Sequence, residues 1–466
     1  MNLQSEVDPL LPQLWEAAEA NYMQHMSDKY SWTDSAEADA QNIADMKQAF
    51  ERIVGPAVSD LVRRFRSYYS LDDFDLDPVA DEFANEKDRW EEPGSSLFCH
   101  IVAASKGIQQ VDSLVHSDQW TGTAAMAFKN NFLDPFQGSA VTQVGCTREI
   151  AIAARSLARA VQLAKECVVW ICKNTIWNLH ASPGGEYPGP LPGETSEDGT
   201  KKIAGMTAIL ADTAATFMAF VPGLDVLDLG LAATGVIGGS IAESAAPSAQ
   251  DAIAFAAPAG ALAQDVISAA AQALTALDKN IADVDDQIWS GLDKDLGAYG
   301  VFSKAYIGIY SEGHGEHSGQ GGWLGYPDLA PSAYQGLTSK GNDTKQDGVV
   351  VNFRNLYYAA TVNMPLVADQ YAFGIKVCNG VRVTGVDHQF RMSVPKLNEA
   401  AETFGRAMQS THDHCVTYAQ AMLAAARDYE WTDAYESGRI RDLEGMIHPP
   451  DPSLPPDTTV GLPSLD

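Results

Sequence analysis

Apolar residues recur at alternating steps of three and four along much of this chain, the spacing that lays a single stripe along a helix. One stripe starts at Leu97 and continues through Ile101, Ala104, Ile108, Val111 and Val115. It resumes as Ile150, Ala154, Leu157, Val161, Ala164, Val168 and Ile171. The longest runs Val394, Leu397, Ala401, Phe404, Met408, Thr411, Cys415, Tyr418, Met422, Ala425 and Tyr429. Met46, Phe50, Ile53, Ala57 and Leu61 predict one shorter helix, and Val266, Ala270, Ala273, Leu277, Ile281, Val284 and Ile288 predict another. Seams this persistent predict long antiparallel packing. The expected fold class is mainly α, an elongated antiparallel helical bundle of coiled-coil hairpins.

Breaks in the stripes divide the chain. Residues 1–75 read as an N-terminal helical segment, 76–95 as an acidic linker ending near Pro93-Gly94, and 96–181 as a helical hairpin. Residues 182–202 form a Pro- and Gly-dense loop without an apolar face. Ala- and Gly-rich apolar helices follow over 203–298. The stretch 299–391 reads as an irregular Gly-rich insert, part helical or part strand, with Val349-Val350-Val351 hinting at a strand. Residues 392–447 carry the C-terminal helix, and 448–466 a Pro-rich extended tail.

One segment changes the picture. Ile203 to Val221 is nineteen largely apolar residues interrupted only by Asp212. Pro222-Gly223 then breaks the run, and Leu224 to Ala242 follows with Asp225 and Asp228. The length approaches that needed to cross a bilayer. Each aspartate costs about 2.5–3.5 kcal/mol at a membrane centre, which Ala and Gly do little to offset. A pair of small-residue helices packed inside the protein is therefore the expectation, and a membrane-entering hairpin the alternative.

Charge narrows the partners. Lys and Arg total 31 against 61 Asp and Glu, a formal net charge of -30. Such a surface repels phosphate backbones and anionic headgroups, so no nucleic-acid partner is expected. The six cysteines form no CxxC pair and read as buried apolar thiols; Cys167 and Cys172 fall on different faces of their helix. The N-terminus has neither a basic start nor a continuous apolar core, so no Sec-type signal peptide is read there.

Candidate chemistry is sparse. There is no P-loop, dinucleotide-binding glycine fingerprint, nucleophile elbow or HExxH. His314 and His317, with Glu312 or Glu316, are a metal-like pair in a short polar loop that supplies no further ligand frame. His412 and His414 sit two apart and read as a solvated face. No cofactor, metal or catalytic residue is expected.

The remaining signal is the bend between two stripes, Asp118-Gln119-Trp120-Thr121-Gly122-Thr123-Ala124-Ala125-Met126-Ala127-Phe128. Gly122 allows the chain to reverse within few residues, and Trp120 can cover the apolar end of the hairpin. Tyr429 and Asp433, four apart at the end of the longest stripe, fall on one helix face. The Trp120-x-Gly122 turn with its small residues and Phe128 resembles the Trp-x-Gly superfamily of type VII (ESX) secretion substrates. Tyr429-x-x-x-Asp433 resembles the second half of that family's composite export signal. It departs in position, lying about 300 residues after the tryptophan instead of one helix after it. The resemblance implies a non-enzymatic, signal-peptide-independent secreted protein, cytoplasmic before export, acting outside the cell or at the envelope. It implies a type VII secretion ATPase, a chaperone, a helical partner or a second copy as the contact. The rival reading is a helical pore-forming protein using residues 203–242; a third is an enzyme with its site between residues 300 and 390.

Overall fold

Two prolines shape the core of the bundle. In the computed structural model, Pro135 and Pro365 each occupy the first turn of a long helix, and each is preceded by a five-residue π turn and a six-residue α-helix. A proline lacks an N–H, and its ring collides with the carbonyl four residues earlier. Widening the preceding turn relieves that collision, so Asp134 N donates back to Lys129 O and Met364 N to Ala359 O.

The structure describes residues 1–27, 36–73, 76–85, 88, 94–115, 119–121, 123–180, 261–297, 302, 352–384 and 389–447, with side chains in the last stretch described through Arg427. These residues are helical almost throughout, and no strand occurs among them. The elements are α1 (Leu3–Val7), α2 (Leu10–Met26), α3 (Ala36–Ile53), α4 (Gly55–Ser67), a 3-10 turn (Tyr69–Asp73), α5 (Asp77–Phe83) and α6 (Leu97–Leu114). Next come α7 (Thr123–Phe128), the π turn Lys129–Leu133, α8 (Asp134–Leu179) and α9 (Ala263–Leu296). The chain ends in α10 (Phe353–Tyr358), the π turn Ala359–Asn363, α11 (Met364–Gly380) and α12 (Ser393–Ile447).

Four helices make the central bundle. α11 packs on α6 and on α12, while α8 packs on α6 and α12 from the other side. α8 and α11 therefore face each other across the diagonal, where Phe136 meets Tyr371 edge-on at 5.9 Å. Close approach around α11 depends on glycines. A Cβ added at Gly107 would lie 2.7 Å from Val367 Cγ2, and one at Gly374 would lie 2.7 Å from Leu97 Cδ1 and 3.1 Å from Met408 Sδ. Outside this square, α9 lies along α8 and α12, and α1, α2 and α5 cover the rest of α8.

That enclosure explains where single stripes misdescribe the chain. α8 is buried on nearly every side, so Cys167 and Cys172 are both in the core although they point apart around the helix. His414 is 6 % exposed and its Nδ1 pairs with Ser410 O at 2.7 Å, so the solvated-face expectation fails there. The single helix expected through Met46 and Leu61 is two: Val54-Gly55-Pro56 ends α3 and starts α4, leaving Ile53 exposed. Residues 76–95, read as a linker, hold α5, whose Ala80 and Phe83 pack into the core against α8.

Polar groups fix the register. Gln143 Nε2 donates to Thr411 Oγ1 at 3.0 Å, and Tyr371 OH donates to Gln143 Oε1 at 2.8 Å, tying α8, α12 and α11 together in the core. Asp285 on α9 accepts from Met392 N at 3.1 Å and Ser393 N at 2.9 Å and so caps α12.

Candidate functional site

Trp120 lies between the end of α6 and the start of α7, 4 % exposed. An aromatic ladder leads away from it: Phe128 at 5.8 Å, then Phe132 5.4 Å further, then Phe136 at 5.6 Å from Phe132. Steps of four keep these rings on one side of the α7–π–α8 rod. Tyr418 of α12 closes the ladder from across the bundle, 4.4 Å from Phe132 and 5.7 Å from Phe128.

These contacts give α12 its direction. Thr411 meets Gln143 and Tyr418 meets Phe132, so rising numbers on α12 pair with falling numbers on α8. The two helices are antiparallel, and α12 runs toward the Trp120 end of the bundle. Its backbone stays helical to Ile447. At about 1.5 Å per residue, position 429 lies roughly 16 Å beyond position 418 along the axis. The fold thus returns α12, with positions 429 and 433 one turn apart on it, to the pole occupied by Trp120. The side chains of Tyr429 and Asp433 lie outside the described set, as do Gly122 and the membrane-hairpin candidates Asp212, Pro222, Gly223, Asp225 and Asp228. Val349 to Val351 and the His314–His317 loop also lie outside it.

A third element converges on the same pole. Asn352 N donates to Gln119 O at 2.7 Å, and the Asn352 and Asn355 carboxamides donate to Gln119 Oε1 at 2.8 and 3.3 Å. Asn352 Oδ1 also accepts from Asn355 N at 3.2 Å, capping α10. This amide cluster fixes the start of α10 beside Trp120. Sequence reading missed it, although an asparagine three residues before another polar residue at a helix start is a recognisable capping signal.

Two features of Trp120 stand apart from simple packing. Its Nε1 is buried and has no hydrogen-bond partner among the described residues, a state that costs about 1–3 kcal/mol in a folded chain. It also sits where three chain segments meet, α6–α7, α10 and α12, instead of mid-helix.

Five of the six thiols show the opposite of nucleophile activation. Burial pushes Cys99 up to about 11 and Cys172 up to about 12, and drives Cys146, Cys378 and Cys415 well above the usual thiol value. Among the described residues no group of His, Cys, Asp or Glu is arranged to hold a metal ion. Among the same residues no helix is long and apolar enough to cross a membrane.

At the opposite pole, Asn21 of α2 is 2 % exposed and its Nδ2 donates to Leu179 O at 3.0 Å and to Ala261 O at 3.5 Å. One side chain thus ties the end of α8 to the residues that precede α9.

No protein-family model, no curated protein and no solved structure matches this chain.

Proposed function

We propose that this protein is a helical substrate of a type VII-like secretion pathway, acting by protein–protein contact at the envelope or outside the cell. The observation that carries the reading is the convergence at one pole. The bend that contains Trp120, flanked by α6 and the α7–π–α8 rod, lies where the antiparallel α12 emerges carrying positions 429 and 433. The 300-residue separation of the two signal halves in sequence is removed by that geometry, which lets one receptor meet both. The contact at this pole is a secretion ATPase or its chaperone.

The action proposed is non-enzymatic. Thiols pushed upward by burial are poor nucleophiles, and the buried Gln143–Tyr371–Thr411 chain is spent on holding helices together.

The test is export from cells with and without the type VII ATPase, comparing the wild type with Asp433→Ala. The variant should remain in the cytosol with nearly unchanged thermal stability. Wild-type protein in the supernatant of cells lacking the ATPase would overturn the proposal.

A further inference from the structure

The central bundle has an internal two-fold character that its sequence conceals. The rod α7–π–α8 and the rod α10–π–α11 are built alike: a six-residue helix, a five-residue π turn, then a long helix with proline in its first turn. The matching positions are 230 apart throughout, 123 with 353, 129 with 359 and Pro135 with Pro365. Both rods start at the Trp120 pole, where Asn352 joins Gln119, and they lie diagonally opposite. α6 and α12 fill the other diagonal and both run toward that pole. Each rod is thus flanked by the same two antiparallel neighbours, as in a bundle formed by two separate hairpins.

We infer that residues 352–447 are the pairing partner of residues 97–179, held in the same chain, so that the protein is a monomer that recruits no second hairpin subunit. The seam between the two halves has the character of a permanent interface. Gly107 and Gly374 admit no larger side chain without displacing Val367, Leu97 or Met408. Its central polar groups are mutually satisfied: Tyr371 donates to Gln143, Gln143 to Thr411, and Thr411 to Ala407 O at 3.0 Å. A partner entering from outside would have to displace an apolar and polar seam already filled by side chains such as Phe136, Tyr371 and Tyr418, each under 2 % exposed. A net charge of -30 opposes self-association. The inference does not depend on the export reading, since it concerns pairing alone.

The experiment measures the mass of the full chain by light scattering coupled to gel filtration, over a hundredfold range of concentration at moderate salt. A single species of 50.0 kDa at every concentration is expected. A dimer, whether through an outer face or through exchange of residues 352–447 between copies, overturns the inference. A second arm introduces a protease site between Gly184 and Gly185 of the full chain and cleaves it completely. The two pieces should co-elute as a one-to-one complex of undiminished helicity. Separation of the pieces without denaturant overturns the inference even if the uncut chain is monomeric.

Discussion

The Tyr371 hydroxyl donates to the Gln143 carboxamide oxygen across 2.8 Å, and the two residues are 1 % and 0 % exposed. This bond crosses the diagonal of the bundle and is a fully buried polar link between its two halves. Tyr371→Phe keeps the ring against Phe136 but strands the Gln143 oxygen in the core. A loss of about 1–3 kcal/mol is expected, read as a shifted urea midpoint with an unchanged slope. Adding Gln143→Met to that variant should cost less than the two single losses summed. Strict additivity would show that the bond carries no coupling.

Trp120→Ala removes a buried ring that meets Phe128, and about 3–5 kcal/mol should be lost. Trp120→Phe should lose far less, because the unpaired N–H leaves with the indole. Thermal melts compare the two. If Trp120→Phe stays folded yet is exported poorly, export depends on the indole itself; if it is exported normally, the tryptophan acts through packing alone.

Asp72 anchors the N-terminal helix. It accepts from Leu3 N at 2.6 Å and Gln4 N at 2.8 Å and pairs with Lys165 at 3.2 Å. Burial alone would raise its carboxyl, but the Gln4 and Leu3 amides and Lys165 outweigh that and leave it below the usual carboxylate value. Its folded value is therefore lower than its unfolded value of about 3.9. The stability it contributes is complete above the unfolded value and is lost as pH falls through the folded one. Amide exchange at Leu3 and Gln4 should stay slow at neutral pH and accelerate in that acid window. Asp72→Asn should exchange quickly even at pH 7, and continued protection in that variant would remove Asp72 from the role.

All six cysteines are buried, and none is joined in a disulfide. Alkylation at pH 8 should be slow for every one of them in the native protein and rapid in denaturant. Cys99, raised least among the shifted thiols, should react first. Fast labelling of Cys378 or Cys415 in native buffer would reveal that α11 opens from α12.

Much of this architecture is readable from spacing alone, where one face of a helix is buried and the other is wet. The stripes at Leu97, Val266 and Val394 correspond to α6, α9 and α12. α11 was missed although its core residues Val367, Tyr371, Gly374 and Cys378 are spaced by four, three and four. One of the four is a glycine, which carries no hydrophobic signal, and Leu366 and Phe373 put apolar residues on other sides. The paired π turns were equally silent, because proline is the only residue shared at the matching positions around them. For the candidate site, the sequence named Trp120 and the two residues 429 and 433. It did not reveal that they occupy one pole, since the direction of α12 relative to α8 is set by tertiary contacts such as Tyr418 on Phe132. Gln119 and Asn352 went unnoticed because their pairing spans 233 residues.

Replacing residues 182–260 by a short Gly-Ser linker should leave the melting temperature of the bundle nearly unchanged, because Asn21 already holds Leu179 and Ala261 together. Loss of cooperative unfolding in that deletion would show that the replaced stretch is part of the core.

The Asn21 clamp also bears on how such a chain changes over evolutionary time. Leu179 O and Ala261 O accept from the same carboxamide, so the two ends of the segment between them are held together by a third part of the chain. The closure cost of such a segment grows only logarithmically with its length, at about 0.6 kcal/mol per doubling. A change in that length is therefore tolerated by the helices at either end far better than a change to Asn21 itself.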